Sequence, residues 1–143
     1  MIKANLPAGV KIVNEFHFPF ASIRVRNDGI IHVCSAEDLL YSITETMAVH
    51  EKINELTDCR PMLVLHVPGK FTSVDEETRK FLASKHGLRF TIAQAFVITS
   101  MAQKMVANFF MRVNKPPKPT RFFNNQADAE KWLKTFRKNQ STN

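Results

Sequence analysis

The second half of the chain repeats one pattern twice, and that pattern constrains the fold most. An apolar strand run, Ile92 to Ile98, meets a helix-starting Thr99-Ser100 and an amphipathic helix. A Lys115-Pro116-Pro117-Lys118-Pro119 connector then leads to a second strand run, Thr120 to Phe123. A second cap, Asn124-Asn125, opens a last helix carrying Trp132, Leu133 and Phe136. Strands alternating with helices specify parallel strands joined by crossover helices, an α/β layered domain. The segments near 62–67, 92–98 and 120–123 are therefore expected side by side and parallel.

The first half adds a different element. Ala21 to Arg26 and Ile30 to Cys34 alternate around Asn27-Asp28-Gly29, which reads as an antiparallel hairpin. Ser35 with Asp38 resembles a capping box opening a long helix to about Leu56, with Leu39, Leu40, Ile43, Met47 and Ile53 facing the core. Met62 to Val67 is nearly all apolar, the mark of a strand covered on both faces. Ser73 and Glu76 resemble another capping box, ahead of a helix that Gly87 ends. Ser100 and Gln103 form a third, and Ala102, Met105, Val106, Phe109 and Phe110 are the expected buried stripe of the helix that follows. The organisation read from the chain is a lead-in or edge segment over 1–19, one domain over 20–137 and a polar tail over 138–143. The fold class is a mixed sheet of about five strands, mostly parallel, with an antiparallel N-terminal hairpin and helices packed on it.

At 143 residues and 44% apolar content, the chain can build a core without metal or disulfide. Cys34 and Cys59 are too isolated for a zinc or redox site and read as reduced thiols. With no signal-peptide core and no membrane-span run, the expected location is the cytoplasm. Residues 1–98 hold eleven basic and eleven acidic side chains, so the excess of +7 lies wholly in residues 99–143. Lys104, Arg112, Lys115, Lys118 and Arg121 could present an anion-facing patch; the blander reading is helix-end charge and solubility. No aromatic-interleaved nucleic-acid motif accompanies them, and nucleic acid is not the expected partner.

Catalytic signatures are scarce. Nucleophile-elbow, zinc-helix, dinucleotide and complete phosphate-loop patterns are all missing, and the five histidines lack ligand spacing. No metal, cofactor or catalytic residue is assigned. Position supplies the remaining candidates, because open α/β sheets bind ligands beyond the carboxyl ends of their strands. That rule selects the loop with Gly69, Lys70, Thr72 and Ser73 and the turn Thr99-Ser100; helix capping alone also explains both serines. Met101, Met105, Phe109 and Phe110 are the candidate wall of an apolar pocket. Phe16, Phe18, Phe20, Phe122 and Phe123 look exposed, which motivates an expected homodimer.

The hairpin around Asn27-Asp28-Gly29, the helix, the strand Met62 to Val67 and the loop ending Thr72-Ser73 resemble the STAS domain, the fold of the SpoIIAA-type anti-sigma-factor antagonists. The segment Ala102 to Met111, Asn114-Lys115-Pro116, Pro119-Thr120 and Ala129 to Leu133 is similar to bacterial STAS/SEC14-like proteins of unknown function. The resemblance covers roughly residues 20 to 137. It implies a non-enzymatic regulatory or protein-interaction module, with Ser73 or Thr72 at the place of the antagonists' phosphorylated serine. This chain reads Lys70-Phe71-Thr72-Ser73-Val74-Asp75 there, without the family's Asp-Ser-Ser/Thr-Gly pattern. The alternatives are a binder of a small apolar or lipid-like ligand and, more weakly, an enzyme with an unrecognised site.

Overall fold

A computed structural model describes residues 6–137 of the chain; the polar tail read over 138–143 lies outside the described residues. The strands are β1 (Ile12–His17), β2 (Ala21–Arg26), β3 (Ile30–Ser35), β4 (Leu40–Tyr41), β5 (Met62–Val67), β6 (Ser73–Val74), β7 (Thr91–Val97) and β8 (Thr120–Phe123). The helices are α1 (Ile43–Thr57), α2 (Glu76–Leu82), α3 (Met101–Phe109) and α4 (Gln126–Lys134), with a π-helical turn over Phe110–Asn114. Six strands form one sheet in the order β1-β2-β3-β5-β7-β8, and β4 pairs with β6 in a separate two-stranded piece. The pairs β1–β2 and β2–β3 are antiparallel, whereas β3–β5, β5–β7 and β7–β8 are parallel. The parallel arrangement expected for the three apolar runs is thus present.

The sheet gains a sixth strand because residues 12–17, weakly patterned as sequence, pair along β2. Pro19 sits in the turn between these strands, where its missing N–H removes no ladder bond. Strand alternation then divides the interior. Ile23, Val25, Ile31, Val33 and Val64 face Val49 of α1 in one cluster. Ile30, Leu63, Leu65, Ala93 and Ala95 face Ala129 and Leu133 of α4 in another. Covering both faces of β5 explains why Met62 to Leu65 is buried without interruption.

Four helix starts test the capping readings. Ser100 accepts from the Gln103 amide at 3.0 Å and Asn125 from the Asp128 amide at 2.8 Å, as the sequence implies. The other two starts are shifted. The first long helix begins at Ile43 with a Ser42/Glu45 box, not at Ser35 with Asp38. Asp38 has φ 54° and its N–H donates to the Lys70 carbonyl at 2.9 Å, so residues 36–39 run as a loop that leads into β4, pinned to residues 70–74. Leu40 consequently lies 59% exposed in β4 rather than on a core stripe. Likewise Asp75, not Ser73, caps α2 by accepting from the Thr78 amide at 2.9 Å. Ser73 is spent in β6, where its N–H donates to the Leu39 carbonyl. α2 ends at Leu82, five residues before Gly87.

The aromatics read as exposed find partners within the chain. Phe16, Phe18, Phe20 and Tyr41 contact one another in succession, with centroids 4.8, 4.8 and 6.0 Å apart. Phe122 stacks on Phe96, and Phe123 lies beside Trp132. All five phenylalanines are half-buried, which removes the reason given above for a dimer face.

Candidate functional site

The helix-bearing face opposite α4 holds a cavity of about 390 Å³ between the sheet and α1, α2 and α3. Its floor follows from strand register. Val33 pairs with His66, His66 with Phe96, and Phe96 with Phe122, so one row of side chains crosses four strands. The rings stack in series: His66 on Phe96 at 4.3 Å, Phe96 on Phe122 at 4.8 Å. Phe110 meets Phe96 and Phe122 edge-on at 6.2 and 6.1 Å and closes one end. Thr46, Val49 and His50 of α1 form one wall, Arg79 and Leu82 of α2 a second, and Val106 and Ala107 of α3 a third. The rim is the Pro68–Val74 segment together with Ser100 and Gln103.

The rim is held by short-range polar bonds. The Thr72 hydroxyl donates to the Ala36 carbonyl, and Gln103 Nε2 donates to the Gly69 carbonyl at 3.4 Å. A Cβ on Gly69 would come within 2.7 Å of the Ala36 backbone, so glycine permits the two loops to touch. Phe71, at φ 61° and 75% exposed, stands on this rim.

Electrostatically the interior is uncharged except at Arg79, because no Asp, Glu or Lys lines it. Burial, with a smaller push from the nearby His50, lowers His66 to about 3 against a hydrogen bond to Gln94. His50 is also lowered by burial, while its Nδ1 sits 3.0 Å from the Thr46 carbonyl. Both imidazoles are therefore neutral at pH 7. Burial raises the Tyr41 phenol, which stays protonated. The Tyr41 hydroxyl, the Thr46 hydroxyl and Arg79 Nε are all buried on this cavity without a well-formed hydrogen bond among the described residues. Such groups favour a ligand atom that completes their bonding.

Of the residues singled out by sequence, Thr72, Ser73, Ser100 and Phe110 line the cavity. Gly69, Lys70 and Thr99 belong to the surrounding loops. Met101, Met105 and Phe109 lie outside it, 72%, 67% and 47% exposed. The reason is helix phase: the inward stripe of α3 is 102, 103, 106, 107 and 110, and 101, 105 and 109 fall about 100° around the axis. Lys104 and Arg112 are exposed on α3 and the π-turn, while Arg121 pairs with Ala95 on the α4 face and lies over Phe123 at 5.2 Å. Sequence reasoning missed Tyr41, His66, Arg79 and Phe96; for His66 and Phe96 the available signal was their period-2 placement on β5 and β7, whose other face is core.

The α4 face carries a second buried polar group. Arg26, whose side chain is fully buried, pairs with Asp28 and, at 2.7 Å, with Glu130 of α4. Burial opposes the Arg26 charge, but its bonds to Glu130 and Asp28 more than offset this and hold its pKa above the ordinary value. His32 beside it is lowered to about 4 by burial and by the Arg26 charge. Among the described residues, no three His, Cys, Asp or Glu side chains gather as a metal site, and no helix is long and apolar enough to cross a membrane.

The solved structures include a similar protein. The crystal structure of an uncharacterized protein of the DUF3478 family from Shewanella loihica, which has a SpoIIAA-like fold, superposes with a TM-score of 0.50 at 17% identity, over 93% of this chain and 99% of that one. At that identity the likeness establishes the fold, a SpoIIAA-like sheet and helices. No curated protein matches the chain. The model of one family, described as a domain of unknown function (DUF7793), matches residues 23–137, and the chain belongs to that family.

Proposed function

We propose that this protein is a non-catalytic binder of a small apolar molecule, held on the His66–Phe96–Phe122 row beneath α1, α2 and α3. One observation carries the reading: a cavity of about 390 Å³ with apolar walls, neutral imidazoles and no carboxylate. Its size falls in the range of small-molecule sites, roughly 300–1,000 Å³. General acid–base turnover favours a group titrating near neutrality; here burial lowers both cavity histidines, His66 to about 3. Titration with the neutral fluorophore N-phenyl-1-naphthylamine tests the reading. Saturable 1:1 enhancement is expected, and Ala107→Phe, which fills the wall from a buried position on α3, should weaken it about tenfold or more, or roughly 1.4 kcal/mol. Absence of binding, or equal binding by a folded Ala107→Phe variant, refutes it.

A regulatory module switched by phosphorylation is the second reading, and one observation favours it at Ser73 alone. Ser73 is exposed on the rim, whereas Thr72 is buried with its hydroxyl bonded to Ala36. Mass spectrometry of the protein from its native cells that finds Ser73 unmodified under all growth conditions rules this out.

A further inference from the structure

We infer that the cavity selects apolar acids, pairing the anionic head with Arg79 at the mouth while the tail lies on the aromatic floor. This rests on the binding reading above and specifies the ligand's chemistry. Arg79 is the only side chain of fixed charge among those lining the cavity. It sits near the end of α2, and Nη1 donates to the Val74 carbonyl at 2.9 Å. Its guanidinium lies over the Phe109 ring at 5.4 Å, which orients the plane across the gap between α2 and α3.

A guanidinium has five N–H donors, and most of these are uncommitted here. Nε is buried with no partner, and Arg79 makes no ion pair among the described residues. Near α2, Asp75 feels the Arg79 charge but spends its carboxylate capping the helix on the Thr78 amide, and Glu76 pairs with Lys80 at 3.4 Å. The planar fork matches a carboxylate bidentately, and such charge-assisted bonds strengthen when water is excluded. The Thr46 hydroxyl, also buried on this cavity without a partner, offers a further donor. A cationic head would meet Arg79 with no carboxylate on the walls to offset the repulsion. A neutral alcohol could occupy the same floor but would lack the charge pairing.

Three ligands with one tail separate these cases: decanoate, decanol and decylammonium, titrated at pH 7.5 into the whole protein below their aggregation limits. Decanoate should bind about tenfold or more tighter than decanol, and decylammonium weakest. Arg79→Met should bring decanoate to the affinity of decanol, with circular dichroism and a thermal melt reporting that the variant is folded. Arg79→Lys should restore only part of the preference, because the ammonium is a point charge without the fork. Equal binding of decanoate and decanol by the parent protein overturns the inference while leaving the apolar-binder reading intact. Binding of none of the three tails, with no response to the naphthylamine, removes both. Should Arg79→Met fail to fold, the parent's acid-to-alcohol ratio decides alone.

Discussion

Arg26→Met isolates the energetics of the buried triad. The parent places a fully buried guanidinium between Asp28 and Glu130, whose side chains are 7% and 6% exposed. Methionine keeps much of the volume and removes the charge, which leaves two carboxylates facing each other with little water. Breaking a buried pair in this way costs about 3–5 kcal/mol, because the surviving charges keep their desolvation penalty and lose its compensation. For a chain of this size that lowers the Tm by roughly 6–20 °C. Urea denaturation at pH 7 can follow the single Trp132 of α4, which packs between Phe123 and Phe136 and reports release of that helix. The triple variant Arg26→Met/Asp28→Asn/Glu130→Leu removes all three charges and should recover more than half the loss, since an apolar replacement of a buried pair is often neutral. A loss below about 1 kcal/mol for the single change refutes the argument, as does a triple variant no more stable than the single.

Further outcomes follow from the histidines and the caps. His32 and His66 have folded-state pKa values depressed to about 4 and about 3. Below an unfolded value of about 6.5 only the unfolded chain takes up these protons, so stability falls as pH drops from about 6.5 toward 4, by up to ~1.4 kcal/mol per pH unit for each group. His32→Leu should flatten the slope by about one proton in denaturation series at pH 6.5, 5.5 and 4.5; an unchanged slope counts against it. Asp75→Ala should cost about 1 kcal/mol and Ser73→Ala under about 0.5 kcal/mol, because the aspartate caps α2 and the serine does not. Thermal melts showing the reverse order would restore Ser73 as the cap.

Strand positions and parallel pairing were legible in the sequence because β5 and β7 are buried on both faces, and such runs admit few other readings. Caps were legible only where a single candidate existed. Around α1 the chain offers Ser35/Asp38 and Ser42/Glu45, and the first is overruled by backbone pairing with a loop some thirty residues later, which no local pattern encodes. The pocket wall failed for a related reason. α3 carries apolar residues at both 101, 105, 109 and 102, 106, 110, so its periodicity fixes a stripe's spacing but not which of the two faces the cavity. His66 and Phe96 were hidden because they lie in strand runs that read simply as core. Their role emerges only from register with Phe122 on a third strand.

The small β4–β6 pairing bears on the rate at which anything could enter the cavity. The loops after β3 and β5 are clasped by a few bonds, among them Asp38 N–H to the Lys70 carbonyl, Ser73 N–H to the Leu39 carbonyl and the Thr72 hydroxyl to Ala36. Two-residue strands with exposed members at Leu40 and Ser73 have little apolar burial to hold them shut. Their opening belongs to the low-free-energy end of local fluctuations, well below global unfolding. Ligand exchange through this clasp would be gated by its opening frequency and not by diffusion. Amides 38 and 73 would then exchange with solvent far sooner than those of β5, while occupancy of the cavity slows both.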